Sequence, residues 1–410
     1  MRFEFFLAQR MRSSSNESTV SARIIKIAIV AIALGIIMIL IAMGSSLGLQ
    51  KEIKNKTIAL SGDLRIAPFE NNNSTISIRP IDTIELRKNV WEDQSKISRA
   101  YPFIAKGVLL KTKQEFEGAI IKGITSSFPW EKLTPYLVAG SYPQFDSSLS
   151  KEIVLSQSLA QKLQLKIGER VTAYFQQKNE GSIPRVRYFT VTAIYQTGFP
   201  EFDNTFAFAD MRHLQRINNW SESEIGGMEM FLHPKENVAI YAEEVYRALP
   251  PHIDVQTAQQ RYQSIFDWIA VFDFNVLIIL VIMILVGTLN MATALLVLIL
   301  ERSRMIGVLK SMGATNPQIQ KLFLLNAVYI VGKGLLWGNL IGLGILFSQY
   351  YFGWLQLDPT SYFVTTVPVE LPLHLWAGLN VLVLSVCSLL LWIPSLIIGR
   401  IDPTKVLRFR

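Results

Sequence analysis

Charged side chains are scarce in this sequence and are missing altogether from four long stretches. Asp, Glu, Lys and Arg make up 18% of the 410 residues, against about 25% in soluble domains. The uncharged stretches are Ile27–Gln50, Phe274–Leu300, Gly334–Leu357 and Leu371–Gly399. Each is longer than the ~20 apolar residues that cross a bilayer as a helix. The sequence therefore predicts four transmembrane helices and excludes a soluble enzyme.

Cysteine and the usual catalytic motifs are also nearly absent. The single cysteine, Cys387, lies in the last uncharged stretch, so no disulfide can form within the chain. No Gly-x-x-x-x-Gly-Lys-Ser/Thr phosphate loop occurs, and the four histidines have no metal-ligand spacing. We therefore assign no catalytic, cofactor-binding or metal-binding residue. An energy-dependent function would have to take its catalysis from a partner.

The basic residues are distributed unevenly along the chain. Residues 1–26, 301–321 and 400–410 together hold 13 Lys and Arg but only four acidic residues, whereas residues 51–273 hold 26 of each. By the positive-inside rule, this bias predicts that both termini and the 301–321 loop are cytoplasmic. Because the large middle region is neutral, the net charge of +8 gives no reason to expect nucleic-acid binding. We interpret the first span as an uncleaved signal-anchor.

These observations predict an α-helical membrane protein with four transmembrane helices and a large mixed α/β domain inserted between helices 1 and 2. The predicted segments are a cytoplasmic N-terminal segment (1–26), helix 1 (27–50), the external α/β domain with helical stalks (51–273), helix 2 (274–300), a cytoplasmic helix (301–321), helix 3 (322–350), an external loop (351–373), helix 4 (374–399) and a cytoplasmic tail (400–410).

The middle region alternates between β-rich runs and helical stretches. The runs that predict strands include Asp63–Ala67, Ile76–Arg79, Gly107–Thr112, Phe116–Gly123, Glu152–Leu155, Arg170–Gln176, Tyr188–Tyr195 and Thr205–Ala209. At its borders, Leu49–Thr57 and Thr257–Asp267 are predicted to be helical stalks that join the spans. Rigid stalks would transmit motion between domain and membrane, but plain connectors explain the same pattern.

The cytoplasmic loop predicts a short amphipathic helix followed by a tight break. Its apolar stripe comprises Met305, Ile306, Val308, Leu309 and Met312. Gly313 is predicted to end this helix, with Asn316 as the N-cap and Pro317 as the first residue of the next. Such a helix either docks on a cytoplasmic partner or rests on the lipid surface.

The third span carries small residues at four-residue intervals. Gly334, Gly338 and Gly342 form a face suited to close approach of another helix. Lys333 stands beside them, and an intramembrane lysine is a functional candidate. We interpret Lys333 as structural, because a side chain of this length can snorkel to the membrane interface.

Several segments carry a family resemblance that covers essentially the whole chain. The sequence resembles the MacB/FtsX-type ABC permeases, and specifically the lipoprotein-releasing permeases of the LolC/LolE type. The matching segments are Met305–Thr315 (the coupling-helix signature), Leu289–Met291, Glu152–Thr172, Tyr362–Leu371, Ile393-Pro394 and Asp402–Arg408. The resemblance implies a non-catalytic permease subunit of the bacterial inner membrane.

The resemblance also implies partners and contact residues. A separate dimeric ATPase subunit, which holds the ATP and Mg, would contact Glu301, Arg302, Arg304, Met305, Val308, Leu309, Met312, Gly313 and Ala314. A periplasmic lipoprotein carrier would contact Lys178, Asn179, Glu180, Gly181, Ser182, Ile183, Pro184 and Arg185, although a plain β-hairpin fits that segment nearly as well. A lipid cavity shared with a second permease subunit would be lined by Met38, Ile41, Met43, Val276, Ile279 and Met283.

Three functions fit the resemblance. The first is a permease half that extracts lipoproteins and passes them to a carrier. The second is an FtsX-like signalling module that activates a cell-wall hydrolase, and the third is a MacB-like export permease. The long outer domain favours the first over the second, and the lack of a fused ATPase domain disfavours the third. Whether the second permease subunit is identical or merely related stays open.

Overall fold

The computed structural model describes residues 20–72, 74–89, 95–145, 148–177, 183–358 and 362–400. The chain divides into two compact units. The helical unit comprises the chain up to residue 51, residues 268–356 and the chain from residue 366. The α/β unit comprises residues 52–267 and 357–365.

The described helices are α1 (Val20–Ser61), α2 (Thr83–Asn89), α3 (Gln157–Lys162), α4 (Pro200–Asp203), α5 (Met211–Asn218), α6 (Val238–Ala248), α7 (Ala258–Arg261), α8 (Gln263–Glu301), α9 (Ser303–Ser311), α10 (Asn316–Phe352) and α11 (Leu373–Ser395). The described strands are β1 (Leu64–Pro68), β2 (Ile81–Asp82), β3 (Ile97–Lys111), β4 (Phe116–Ile124), β5 (Leu137–Gly140), β6 (Glu152–Ser156), β7 (Arg170–Phe175), β8 (Arg185–Tyr195), β9 (Phe206–Asp210), β10 (Glu224–Ile225), β11 (Gly227–Leu232) and β12 (Ile253–Thr257).

Four helices in the described part of the chain are long and apolar enough to cross a membrane, which confirms that prediction. They are α1, α8, α10 and the stretch from Leu373 to Ile398 that contains α11. The first helix continues to Ser61, so the stalk predicted after the first span is helical. The second stalk differs from the prediction, because α7 ends at Arg261 and Tyr262 leaves helical geometry (φ −114°, ψ 41°) before α8 begins.

Glycines bring α10 directly against α1. A Cβ on Gly338 would lie 2.7 Å from the Cβ of Ile36 and 2.9 Å from the carbonyl oxygen of Ala33. Gly334 and Gly342 face α1 with similarly close contacts: an added Cβ would lie 2.6 Å and 2.9 Å from the nearest side-chain atom. Small residues allow such backbone approach in membranes, where packing replaces the hydrophobic drive. The predicted small-residue face is therefore confirmed as the α1–α10 contact.

Polar side chains add a second connection inside the helical unit. The Nδ2 of Asn339 on α10 donates to the Oδ1 of Asn380 on α11 over 2.6 Å. The indole Nε1 of Trp376 donates to the Oδ1 of Asn339 over 2.7 Å. Hydrogen bonds of this kind join helices in an apolar medium. Lys333, one residue before the glycine face, is exposed and holds its Nζ 4.8 Å from the ring centroid of Tyr329.

The α/β unit is built on a mixed sheet whose pairing closes a ring. Strand β3 pairs with β4 and β7, β4 with β9, β9 with β6, and β8 with both β6 and β7. The β4–β9 and β6–β8 pairs are parallel and the other pairs of this ring are antiparallel. The first half of β3 also pairs with β11, which continues the sheet through β1 to β12. The predicted mixed α/β character is confirmed.

Two local predictions are wrong. Residues 76–79 form no strand, because the backbone N–H groups of Ile78 and Arg79 donate to the side-chain Oδ1 of Asn71 rather than to a neighbouring strand. The N-cap of α10 is Thr315 and not Asn316: the Thr315 N–H donates to the Oε1 of Gln318 over 2.9 Å.

A buried ion pair joins the sheet to the end of the first long helix. Lys122 on β4 and Glu229 on β11 are 6% and 1% exposed, and their Nζ and Oε2 atoms are 2.5 Å apart. The Lys122 ammonium also donates to the carbonyl oxygen of Leu60 in the last turn of α1 over 2.9 Å. The hydroxyl of Tyr101 donates to Glu229 as well. A cation at a helix C-terminus opposes the negative end of the helix dipole.

The segment 357–365, which follows α10, belongs to the α/β unit. Its Phe363 stacks on Phe199 with ring centroids 4.6 Å apart. The Nζ of Lys56 donates to the carbonyl oxygens of Thr197 (3.0 Å) and Phe363 (2.8 Å). Phe363 is thus fixed to the α/β unit by one aromatic stack and one buried lysine.

We predict that Gly338→Ala destabilises the protein, because the added methyl has no room against α1. Overpacking of this size costs about 1–3 kcal/mol. Gly344→Ala is the matched control, since a Cβ there meets no atom of the described residues within 4 Å. Thermal unfolding of the purified protein in detergent measures both variants. Equal midpoints for the two would contradict the close α1–α10 contact.

We predict that Lys122→Met destabilises the α/β unit by about 3–5 kcal/mol, because it leaves a carboxylate buried without its main partner. The double variant Lys122→Met/Glu229→Gln should recover part of that loss, since the amide is neutral and still accepts from Tyr101, while Arg261 loses its carboxylate neighbour. Amide hydrogen exchange of β4 and β11 measures the local stability.

The control for this prediction is Lys162→Met. Lys162 forms an exposed pair with Glu117 at 4.0 Å, which is expected to contribute less than about 1 kcal/mol. Two outcomes would contradict a role for the buried pair in holding β4 and β11 together. Either Lys162→Met loses as much stability as Lys122→Met, or the double variant recovers no stability.

Candidate partner-binding surfaces

The short helix α9 lies between α8 and α10 in the chain and ends in a hydrogen-bonded turn. The N–H of Gly313 donates to the carbonyl of Lys310 over 3.0 Å, and that of Ala314 to the carbonyl of Leu309 over 2.9 Å. Gly313 has φ +94°, a conformation that favours glycine. These two bonds form a Schellman motif, which turns the chain sharply before α10. The predicted helix end at Gly313 is confirmed.

The predicted apolar stripe of α9 divides into two faces. Ile306 is buried, and Met305 and Leu309 pack against the core of the helical unit. The outward face consists of Arg304, Val308, Ser311 and Met312 at helical spacing, and the exposed Glu301 at the end of α8 precedes it. Val308 and Met312 are 45% and 78% exposed. We call these four outward residues the α9 face.

A lysine fixes α9 within the helical unit. The Nζ of Lys310 donates to the carbonyl oxygen of Ile398 over 2.8 Å, in the turn that follows α11. The ammonium therefore satisfies a backbone acceptor near the end of the last helix. Of the residues predicted to contact an ATPase subunit, Arg302, Met305, Leu309 and Ala314 are half-buried, and Glu301, Arg304, Val308, Met312 and Gly313 are exposed. Ser311 was not among these predicted residues, and its three-residue spacing from Val308 places it on the same face.

The segment predicted to contact a carrier connects β7 to β8, which pair as an antiparallel hairpin. Phe175 on β7 faces Arg185 on β8, and the antiparallel pairing runs from there to Arg170 and Thr190. Residues 178–182 lie outside the described residues. Ile183 is 88% exposed, and Pro184 is also exposed.

Arg185 has a structural contact in the α/β unit. Its Nη1 donates to the carbonyls of Arg216 (2.6 Å) and Ile217 (3.0 Å) and to the Oδ1 of Asn219 (2.9 Å). These groups stand at the C-terminal end of α5. Arg185 therefore anchors the base of the hairpin to α5, a role that the sequence pattern did not indicate.

The residues predicted to line a lipid cavity lie on α1 and α8. Met38 is 52% exposed, while Ile41, Met43, Ile279 and Met283 pack partly against the core of the helical unit and Val276 is half-buried. Only 6% of the most apolar stretch of α8 is buried, against 28–39% for the other three helices. Helix α8 is thus the least covered of the four.

Comparison with known proteins matches both parts of the chain. The MacB-like periplasmic core domain matches residues 27–265, and the FtsX-like permease C-terminal domain matches residues 277–403. The chain belongs to the MacB/FtsX permease family. The first match spans more than half of this permease, and the second begins within α8.

Two named relatives cover this permease almost completely. The "Lipoprotein-releasing system transmembrane protein LolC" of Neisseria meningitidis serogroup B is 24% identical over 399 residues, 93% of each chain. The "Lipoprotein-releasing system transmembrane protein LolE" of Haemophilus influenzae is 21% identical over 427 aligned positions, 99% of each chain. The crystal structure of the periplasmic region of MacB from Actinobacillus actinomycetemcomitans covers 49% of this chain and 91% of its own, at 14% identity and a TM-score of 0.37.

Proposed function

We propose that this permease is one half of the membrane part of an ABC transporter that extracts lipoproteins from the outer leaflet of the bacterial inner membrane and passes them to a periplasmic carrier. The observation that carries the proposal is the similarity to LolC over 93% of both chains. That relative is named for lipoprotein release, and the match spans the membrane helices as well as the α/β unit.

The proposed topology follows from charge and helix order. Both termini and α9 face the cytoplasm, since the segments around them carry 13 of the 40 basic residues and four acidic ones. The α/β unit, which follows α1 and precedes α8 in the chain, is periplasmic. This topology uses the boundaries between spans and loops that the sequence predicts.

The α9 face fits a docking site for a separate ATPase subunit, which binds the ATP and Mg. Val308 and Met312 form an apolar centre, Arg304 is a charged neighbour on the same face, and the exposed Glu301 precedes it at the end of α8. An apolar centre with a polar rim is typical of protein interfaces. A helix that rests on lipid points its lysines at the headgroups, whereas Lys310 donates to Ile398. The contact therefore supports docking over lipid association.

A driven step is needed because lipoprotein anchors leave the membrane slowly. Each acyl CH₂ buried in the bilayer contributes about 0.8 kcal/mol, so several acyl chains cannot be lost at a useful rate without energy input. In this proposal ATP hydrolysis in the partner moves α9, and the lipid cavity lies between α1 and α8 of this permease and a second permease subunit. The poorly covered face of α8 is available for that subunit or for lipid.

We predict that Met312→Glu abolishes association with the ATPase subunit, because it places a charge at the apolar centre of the α9 face. The permease is reconstituted with its co-purifying ATPase, a labelled triacylated lipoprotein and soluble carrier. Wild-type protein should transfer label to the carrier only with hydrolysable ATP, and the variant should transfer none.

The control is Lys321→Gln, which lowers the charge of the same cytoplasmic loop by one unit at an exposed position of α10. It should co-purify with the ATPase as wild type does. Intact co-purification of Met312→Glu would disprove the docking site. ATPase activity in the wild-type complex without lipoprotein release would instead favour a signalling module that activates a cell-wall hydrolase.

The hairpin loop between β7 and β8 is proposed to contact the carrier. We predict that deletion of residues 179–183 weakens carrier binding and leaves assembly with the ATPase intact. The deletion leaves four residues between Phe175 and Arg185, a length that hairpins accept. A variant with Gly and Ser at the five positions keeps the length and removes the side chains. Unchanged cross-linking to the carrier in both variants would show that the loop is a plain hairpin.

A further inference from the structure

The α/β unit contains a cavity that none of the functions above uses. Its volume is about 610 Å³, within the range of small-molecule sites. Basic and aromatic side chains share its wall. The cations are Arg65, Lys122 and Arg261, the carboxylates are Glu201 and Glu229, and the phenylalanines are Phe103, Phe202, Phe206 and Phe208.

The cations outnumber the buried carboxylate in this cavity. Glu229 accepts from Lys122 and Tyr101, and its Oε1 lies 3.6 Å from the Nη1 of Arg261. The other carboxylate on the wall, Glu201, is exposed. Three cations therefore share one buried counter-charge.

Arg65 is the cation without a counter-charge of its own. It stands directly across from Glu229 in the β1–β11 pair and is 6% exposed. Its Nε and Nη2 atoms are buried and have no hydrogen-bond partner among the described residues. Its guanidinium carbon lies 4.9 Å from the ring centroid of Phe103. Burial lowers the pKa of Arg65 to about 10, and Arg261 adds repulsion, so the group is still charged at neutral pH.

The free edge of Arg65 is the one that binds oxyanions. Nε and Nη2 point the same way and form the two-pronged donor that matches two oxygens of a carboxylate or phosphate. A buried charge without a partner is costly, and an anion from outside would remove that cost. The phenylalanines supply an apolar wall beside this donor.

We propose that this cavity binds a small amphipathic oxyanion, whose charged end is held by Arg65 in bidentate fashion and whose apolar body lies against the phenylalanines. The site is independent of the proposed lipoprotein release. Leu60 near the end of α1 and Gln260 and Arg261 of α7 also line it. An occupant therefore lies beside both of these helices.

Calorimetric titration of the full-length protein, in maltoside detergent and phosphate-free buffer, tests the proposal. The probes are phenyl phosphate, benzoate and benzyl alcohol. One of the two anions should bind saturably at a single site, and benzyl alcohol should bind at least about tenfold more weakly, since a charged hydrogen bond contributes about 1.5–3 kcal/mol. The stronger anion identifies phosphate or carboxylate. Methyl phenyl phosphate then separates a diester, as in a lipid headgroup, from a free monoester.

Arg65→Lys keeps the charge and the stem but removes the two-pronged donor, so binding should weaken at least about tenfold. Arg170→Lys is the matched control, an exposed arginine at the start of β7, and should bind as wild type. Glu201→Gln changes only an exposed carboxylate at the wall and should strengthen binding about two- to fivefold. Any of three results would overturn the proposal. Neither anion binds saturably up to about 10 mM, benzyl alcohol binds as tightly as the anions, or Arg65→Lys binds with wild-type affinity.

Discussion

The α/β unit depends on one buried ammonium group. Lys122 on β4 reaches Glu229 on β11 and the last turn of α1 at Leu60, so three elements that are remote in sequence meet at one Nζ atom. Burial lowers the pKa of Lys122, and the nearby carboxylate opposes that shift. The cluster is a costly way to fill a core, because ion pairs in an apolar interior rarely gain stability over well-packed apolar residues. Its contacts hold the last turn of α1 beside β4 and β11.

The arginines beside this cluster keep donors without a partner. Glu229 accepts from Lys122 and Tyr101 at Oε2, while its Oε1 lies 3.6 Å from the Nη1 of Arg261, beyond hydrogen-bond distance. That Nη1 and the Nε and Nη2 of Arg65, across the strand pair, have no hydrogen-bond partner among the described residues. Lys122 therefore stabilises the C-terminal end of α1. The guanidinium of Arg65, on the cavity wall, keeps two donors without a partner among the described residues. Under the proposal above, an anion bound at this guanidinium stabilises the junction, because a ligand that binds only the folded state raises its stability.

The sequence predicts the helical unit better than the α/β unit, for physical reasons. An uncharged run longer than 20 residues has few alternatives to a membrane helix, and the spacing of Gly338 and its neighbours already indicates close helix packing. Strand β11 was missed because all six of its residues are buried, Glu229 among them, so its sequence shows no alternation. The cavity could not be predicted, since Arg65, Lys122, Glu229 and Arg261 come from separate elements that only the sheet pairing brings together.

The exposed apolar surfaces of α8 and α9 do not support a protein partner equally well. Helix α8 is poorly covered, but lipid tails are as apolar as its side chains, so exposure in the membrane gives little drive toward another subunit. Val308 and Met312 lie on a short helix with the charged Arg304 on the same face, and in the proposed topology that face meets water. Burying them against a protein gains free energy in proportion to the apolar area removed from water. The case for a cytoplasmic partner is therefore stronger than the case for any particular partner within the membrane.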